Sequence, residues 1–333
     1  MDPREFLSQS RVVIVAGKGG VGKTTVSAAL ARMGAAAGLS VLIVAVEAKS
    51  GLVSALGATG FLDYGERELA PNIRARTLTP DIALVEYMDD HGLGKLSKKM
   101  ANSGMVEVVA TAAPGIKDIL VLGKIKQLER SGAADLIIVD APAAGHALTF
   151  LVSPRSVMDV ARSGILRSQA DEAFELLTDS SRCQVILVTL PEETPVNELV
   201  ETEAALRSRI RVKLGPVVVN GVYPKLEGLD GDPERAATRQ RITLFPGEAE
   251  VLRTAAEFRL RRHELQQEQL ARLEVDLKLP QLQLPALFTV DFGLAEIDVL
   301  AGAMADQLRA FPEAGRVATG RDVGGKVARS ASE

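Results

Sequence analysis

The chain has 333 residues, 47% of them hydrophobic and 25% charged, with a formal net charge of −4. That balance suits a globular α/β enzyme with a large core, and its slight acidity leaves no basic footprint for nucleic acid. A single cysteine, Cys183, excludes an internal disulfide and any multi-cysteine zinc or iron–sulfur site within one chain.

The chain begins Met-Asp-Pro-Arg-Glu-Phe, which is no signal peptide. No uncharged apolar run nears the roughly 18 residues of a membrane span, so a cytoplasmic location is expected. Val12 to Ala16 has the β-branched pattern of a buried parallel strand, and an Ala-rich helix is predicted from Lys23 to about Ala37. Between them, Gly17-Lys18-Gly19-Gly20-Val21-Gly22-Lys23-Thr24 satisfies the P-loop spacing G-x-x-x-x-G-K-[ST]. The glycines let the backbone N–H groups of Gly19, Gly20, Val21, Gly22 and the following Lys23, Thr24 and Thr25 turn inward around phosphate oxygens. The positive end of the helix adds to that field. Lys23 is the candidate for the β- and γ-phosphates of a nucleotide, and the Thr24 hydroxyl for Mg²⁺. Lys18 is a solvated loop lysine on its own residues alone.

Ser40–Val46 is a second buried strand, and Glu47 at its carboxyl end lies where ligand chemistry gathers in open α/β sheets. Residues 51–80 are mixed in pattern, and Asp81–Tyr87 reads as a third strand. Residues 88–113 look helical but weakly patterned. Pro114 to Arg130 is an amphipathic helix. Asp135–Asp140 is an apolar strand closed by a carboxylate. Asp140 is either a turn former or, paired with the P-loop, the Walker B group that holds Mg²⁺.

Cys183–Leu190 is the next strand, with Cys183 a small buried hydrophobe. Thr194–Ile210 is a helix with Thr194 as its cap and Pro195 in its first turn. Tyr223–Pro233 is a loop. A long helix runs from Ala249 to about Leu273, with Arg261–Glu264 on a solvated face. Gly293–Phe311 supplies the last helix, and residues 312–333 have the composition of a disordered tail. The expected architecture is one doubly wound, mostly parallel sheet of the P-loop NTPase type, a single domain over 1–311 with short helical insertions near 88–113 and 153–181.

Several of these stretches resemble one family. Lys18, directly after the first loop glycine, matches the deviant Walker A (SIMIBI) class of P-loop proteins. Asp140, Ala141, Pro142, Gly145 and His146 fall on the switch II pattern of the arsenical-pump (ArsA-like) ATPases, a family that includes the ATPases targeting tail-anchored membrane proteins. Thr189–Pro195, Val217–Asn220 and Leu279–Gly293 resemble later family segments in the same order. The resemblance implies an ATP- and Mg²⁺-dependent dimer in which Lys18 crosses to the phosphates of the other subunit. It implies adenine recognition by Asn220 and by the Pro-rich loop at Pro285. From its residues alone Asn220 is either an adenine reader or a turn asparagine, and His146 either a γ-phosphate sensor or a packed switch histidine.

The chain also departs from the family. Where the family's switch I reads Asp-Pro-Ala-His, this chain has Glu47-Ala48-Lys49-Ser50. Glu47 thus takes the place of the aspartate that positions the attacking water, and slow hydrolysis is expected. The Cys-x-x-Cys that clasps a zinc between subunits of the targeting members is missing, so no structural zinc is expected. The insertions are short against a client helix of roughly 30 Å. Met88, Met100, Met105 and Met158 lie across them, either as an adaptable client surface or as plain core. Two functions follow. One is a dimeric switch ATPase, homodimer or heterodimer with a paralogue, coupled to a protein client or membrane partner. The other is a weakly hydrolysing, nucleotide-binding regulatory subunit of such a heterodimer.

Overall fold

A computed structural model describes residues 1–46, 51–90, 115–142 and 145–311. Glu47 to Ser50, the bulk of the 88–113 stretch, Ala143, Ala144 and the 312–333 tail lie outside the described residues. Among the described residues, eight strands form one sheet: β1 (Val12–Gly17), β2 (Val41–Val46), β3 (Arg67–Ala70), β4 (Ile73–Leu78), β5 (Leu136–Asp140), β6 (Cys183–Thr189), β7 (Val217–Val222) and β8 (Gln281–Pro285). Their spatial order is β3-β4-β2-β5-β1-β6-β7-β8. Every neighbouring pair is parallel except the β3–β4 edge hairpin.

β1 and β2 are apolar throughout, and β5 is apolar up to its closing Asp140, because helices cover both faces. Val13 and Val15 of β1 join a core with Leu30 and Met33 of the P-loop helix, Lys23–Ala36, and with Leu300 and Met304 of the last helix, Leu294–Ala310. Val12, Ile14 and Ala16 point to the other face. There they join Val121 and Leu122 of a helix over Ile116–Arg130, Phe150 of one over Gly145–Val160 and Leu176 of one over Ile165–Thr178. Period-two alternation within each strand therefore splits one hydrophobic run between two cores. Cys183 opens β6 fully buried, and burial pushes its thiol up to about 12. It is an inert core group.

The sheet corrects one strand. Asp81–Tyr87 is not a strand but the middle of a helix over Pro80–Asp90. The edge of the parallel part is instead β4, whose alternate arginines Arg74 and Arg76 disguise it. Arg76 is buried nonetheless: its guanidinium stacks on the Tyr64 ring at 4.3 Å and faces Glu66 at 3.9 Å. A short apolar run cannot separate strand from helix by periodicity, and the start signal Thr79-Pro80-Asp81 decides it. The Ala83 N–H donates to the Thr79 carbonyl at 3.0 Å, closing that first turn.

A second correction is local. The helix after β6 spans Glu193–Arg209, with Glu192 at its N-cap and no side-chain capping bond, so Thr194 lies inside the first turn. Within the 153–181 stretch, Ala173, Leu176 and Leu177 are buried against the sheet. Met158 packs beside Ile119, Val157 and Ala170, as core. Met100 and Met105, and the side chain of Met88, lie outside the described residues.

Candidate nucleotide site

Parallel pairing brings the site residues to one end of the sheet. β1 lies between β5 and β6, with Val15 opposite Asp140 and Gly17 opposite Val188. The P-loop therefore leaves β1 beside the carboxyl end of β5, the position where open α/β sheets bind ligands. Gly17 is the pivot. A Cβ there would stand 2.2 Å from the Val188 carbonyl oxygen, so only glycine lets the loop start this close to β6.

The loop then wraps around its own lysine. Lys23, first residue of the P-loop helix and 6% exposed, donates from Nζ to the Lys18 carbonyl at 2.9 Å. Gly22 caps the helix in the left-handed region at φ 91°. The Asn220 side chain donates from Nδ2 to the Val21 carbonyl at 3.0 Å, pinning the loop from β7. Gly19 and Gly20 are exposed at the open side of the loop, and a Cβ at Gly20 would meet nothing within 4 Å. Thr25 follows in the first turn of the helix. The arrangement is a glycine-lined concavity at a helix N-terminus, a geometry suited to phosphate oxygens.

Asp140 ends β5 with no exposed surface, and its Oδ2 accepts a hydrogen bond from Thr24 Oγ1 at 2.7 Å. A hydroxyl and a carboxylate side by side form an all-oxygen donor set, which fits Mg²⁺ bound through one carboxylate with the remaining positions left to phosphate and water. Pro285 ends β8 in register with Val222 of β7, two positions beyond Asn220. Gly145 and His146, the last residues of the switch II pattern, open the Gly145–Val160 helix that follows β5.

A family model described as anion-transporting ATPase matches residues 10–169. ATPase BagA of Mycobacterium tuberculosis is 35% identical over 230 residues, covering 66% of this chain and 67% of that protein. The chain belongs to the anion-transporting, ArsA-like ATPase family. ATPase GET3 of Chaetomium globosum is 29% identical over 203 residues, 60% of this chain and 58% of that protein. As an ArsA-like ATPase the chain has its P-loop, Asp140 and switch II pattern within the matched span, and Asn220 and Pro285 beyond the family model.

Three features of this ArsA-like site have no local sequence signal. Lys18 Nζ contacts Glu198 Oε1 at 2.5 Å, across 180 positions of chain. Arg259 stacks over Tyr223 at 4.0 Å and over Phe288 at 4.9 Å, joining the loop after β8 to the residue after β7. Gln266, in a helix over Glu248–Asp276, accepts from the Tyr223 N–H at 2.7 Å and donates to the Gly221 carbonyl at 3.1 Å. Among the described residues no helix is long and apolar enough to cross a membrane.

Proposed function

We propose that this chain is a cytoplasmic, Mg²⁺-dependent ATPase that works as a nucleotide-driven dimeric switch coupled to a protein client or membrane partner. The observation that carries the reading is the Thr24–Asp140 hydrogen bond at 2.7 Å beside the glycine-lined loop that Lys23 closes. In this reading the N–H groups of Gly19 to Thr25 and the Lys23 ammonium hold the phosphates. Thr24 and Asp140 hold Mg²⁺, which when bound neutralises phosphate charge. Asn220, through the donor and acceptor capacity left beside its bond to Val21, meets adenine together with the Pro285 loop. Lys18 completes the phosphate site of a second copy.

Glu47 positions the attacking water. Its carboxylate stands one methylene further from the backbone than the family's aspartate, and a misplacement of about 1 Å costs on the order of 10²-fold in rate. Turnover is therefore slow but real. The regulatory-subunit reading shares the same Glu47 motive and predicts turnover only beside an aspartate-bearing paralogue.

Calorimetry with MgATP and phosphate release by the purified chain test the assignment. Lys23→Ala removes a charge-assisted contact worth about 1.5–3 kcal/mol, so affinity falls at least about tenfold. Glu47→Gln retains MgATP and loses most turnover. Wild-type affinity in Lys23→Ala refutes the phosphate assignment, and wild-type turnover in Glu47→Gln removes Glu47 from the mechanism.

A further inference from the structure

Lys18 does not point outward from the loop. Its amine lies 2.5 Å from Glu198 Oε1 of its own chain, with the two side chains 33% and 43% exposed. Its backbone is equally committed, because the Lys18 carbonyl accepts from Lys23 Nζ and Gly17 is wedged against Val188. Glu198 itself stands on rigid ground. It lies in the second turn of the Glu193–Arg209 helix, between the buried Val196 and Leu199. That helix is held at its start by an ion pair from Glu192 to Arg262 at 3.1 Å. A carboxylate on an anchored helix thus holds a long-stemmed ammonium sideways, on the surface that borders the phosphate loop.

We propose that Glu198 is a cis latch on Lys18: it holds the lysine on its own subunit and must release it before Lys18 can reach the phosphates bound by a second copy. The proposal rests on the reading that Lys18 acts across a dimer. Glu198 is a positioning residue, since it acts only through Lys18. An ammonium held on its own chain's carboxylate is withheld from a partner's phosphate, so the latch and the ATP-bound dimer compete. A half-exposed ion pair biases such an equilibrium about 1.4- to fivefold. A symmetric dimer opens two latches, for about two- to 25-fold in all. The latch therefore sets the concentration at which ATP drives assembly, without touching the nucleotide site of the isolated subunit.

The test follows the concentration of half-maximal ATP-driven dimerisation of the full chain by light scattering, with phosphate release per chain read alongside. Glu198→Gln keeps the shape and removes the charge. It should lower the midpoint about two- to 25-fold while leaving ADP affinity of the dilute subunit unchanged. Glu198→Ala, tolerated in a helix interior, should give the same fall, and Glu198→Asp, which keeps the charge, should restore part of the wild-type threshold. Reaction of the Lys18 amine with an acylating reagent, mapped by mass spectrometry, should rise in Glu198→Gln, which a purely structural role would not produce. A wild-type midpoint in both neutral variants overturns the latch. If Lys18→Ala abolishes assembly while those variants behave as wild type, the latch alone has failed. If Lys18→Ala assembles and turns over like wild type, the trans reading of Lys18 has failed and the latch with it.

Discussion

Gly22 shows how tightly single residues fix this site. It sits at φ 91°, and a Cβ there would stand 2.2 Å from Asn220 Nδ2. Gly22→Ala therefore meets two costs: about 1–2 kcal/mol for a left-handed L-residue and about 0.5–1.5 kcal/mol for the displaced Asn220–Val21 hydrogen bond. Urea unfolding should show a loss of about 1.5–3.5 kcal/mol, and calorimetry a matching collapse of ATP binding. A Gly22→Ala chain with the wild-type midpoint and wild-type ATP affinity contradicts the account of the loop. At this scale, what is legible in the sequence is what is local. The P-loop residues announce themselves because one strand, one turn and one helix carry the whole motif within residues 12–36. Asn220 is legible as a candidate at the end of a strand, but its bond to the Val21 carbonyl is not, since nothing at position 220 names position 21. Glu198 is silent for the same reason: a glutamate on a helix has no signature until the fold brings Lys18 to it.

At the scale of elements, the Glu248–Asp276 helix is divided between two environments. Its burial is concentrated toward the C-terminal half, at Gln266, Leu270 and Leu273. Its N-terminal half carries Val251 and Phe258 at 68% and 66% exposure. The residue pattern predicts the helix over Ala249 to Leu273, but which half is covered depends on neighbours the pattern does not contain. Gln266 makes the joint. It supplies an acceptor to Tyr223 N–H and a donor to the Gly221 carbonyl, completing the backbone bonding of β7 just after Asn220. Gln266→Leu leaves both groups short of a partner, at about 1–3 kcal/mol for each that stays dry. Since both lie at partly exposed positions, the expected loss in chemical denaturation is about 1–3 kcal/mol in total. An unchanged stability would mean that the helix is not docked through this side chain. β4 gives the opposite lesson. Ile73-Arg74-Ala75-Arg76-Thr77-Leu78 alternates as a strand should, yet two arginines mask it. The Tyr64 ring and Glu66 that make Arg76 tolerable inside are visible only in three dimensions.

Across the whole molecule, a mostly parallel eight-stranded sheet with helices on both faces is the architecture that the apolar central strands and their helical crossovers dictate. The same topology sends the P-loop, Asp140 and Asn220 to one end, while the helix carrying Glu198 starts from that end and borders it. The face that binds nucleotide is thus also the face from which Lys18 would reach a second copy. In the proposed dimer, nucleotide occupancy and assembly share one surface, so the two equilibria are linked: ATP that is bound more tightly by the dimer must tighten the dimer by that factor for each ATP bound.

That linkage is most directly tested by light scattering of the full chain without nucleotide, with ADP and with ATP, each with Mg²⁺ and with phosphate release followed in the same samples. The account predicts monomer without nucleotide and with ADP, a dimer with ATP, and slow phosphate release that rises with chain concentration as the dimer forms. A mass that is the same in all three states, or phosphate release per chain that is independent of concentration, would contradict it.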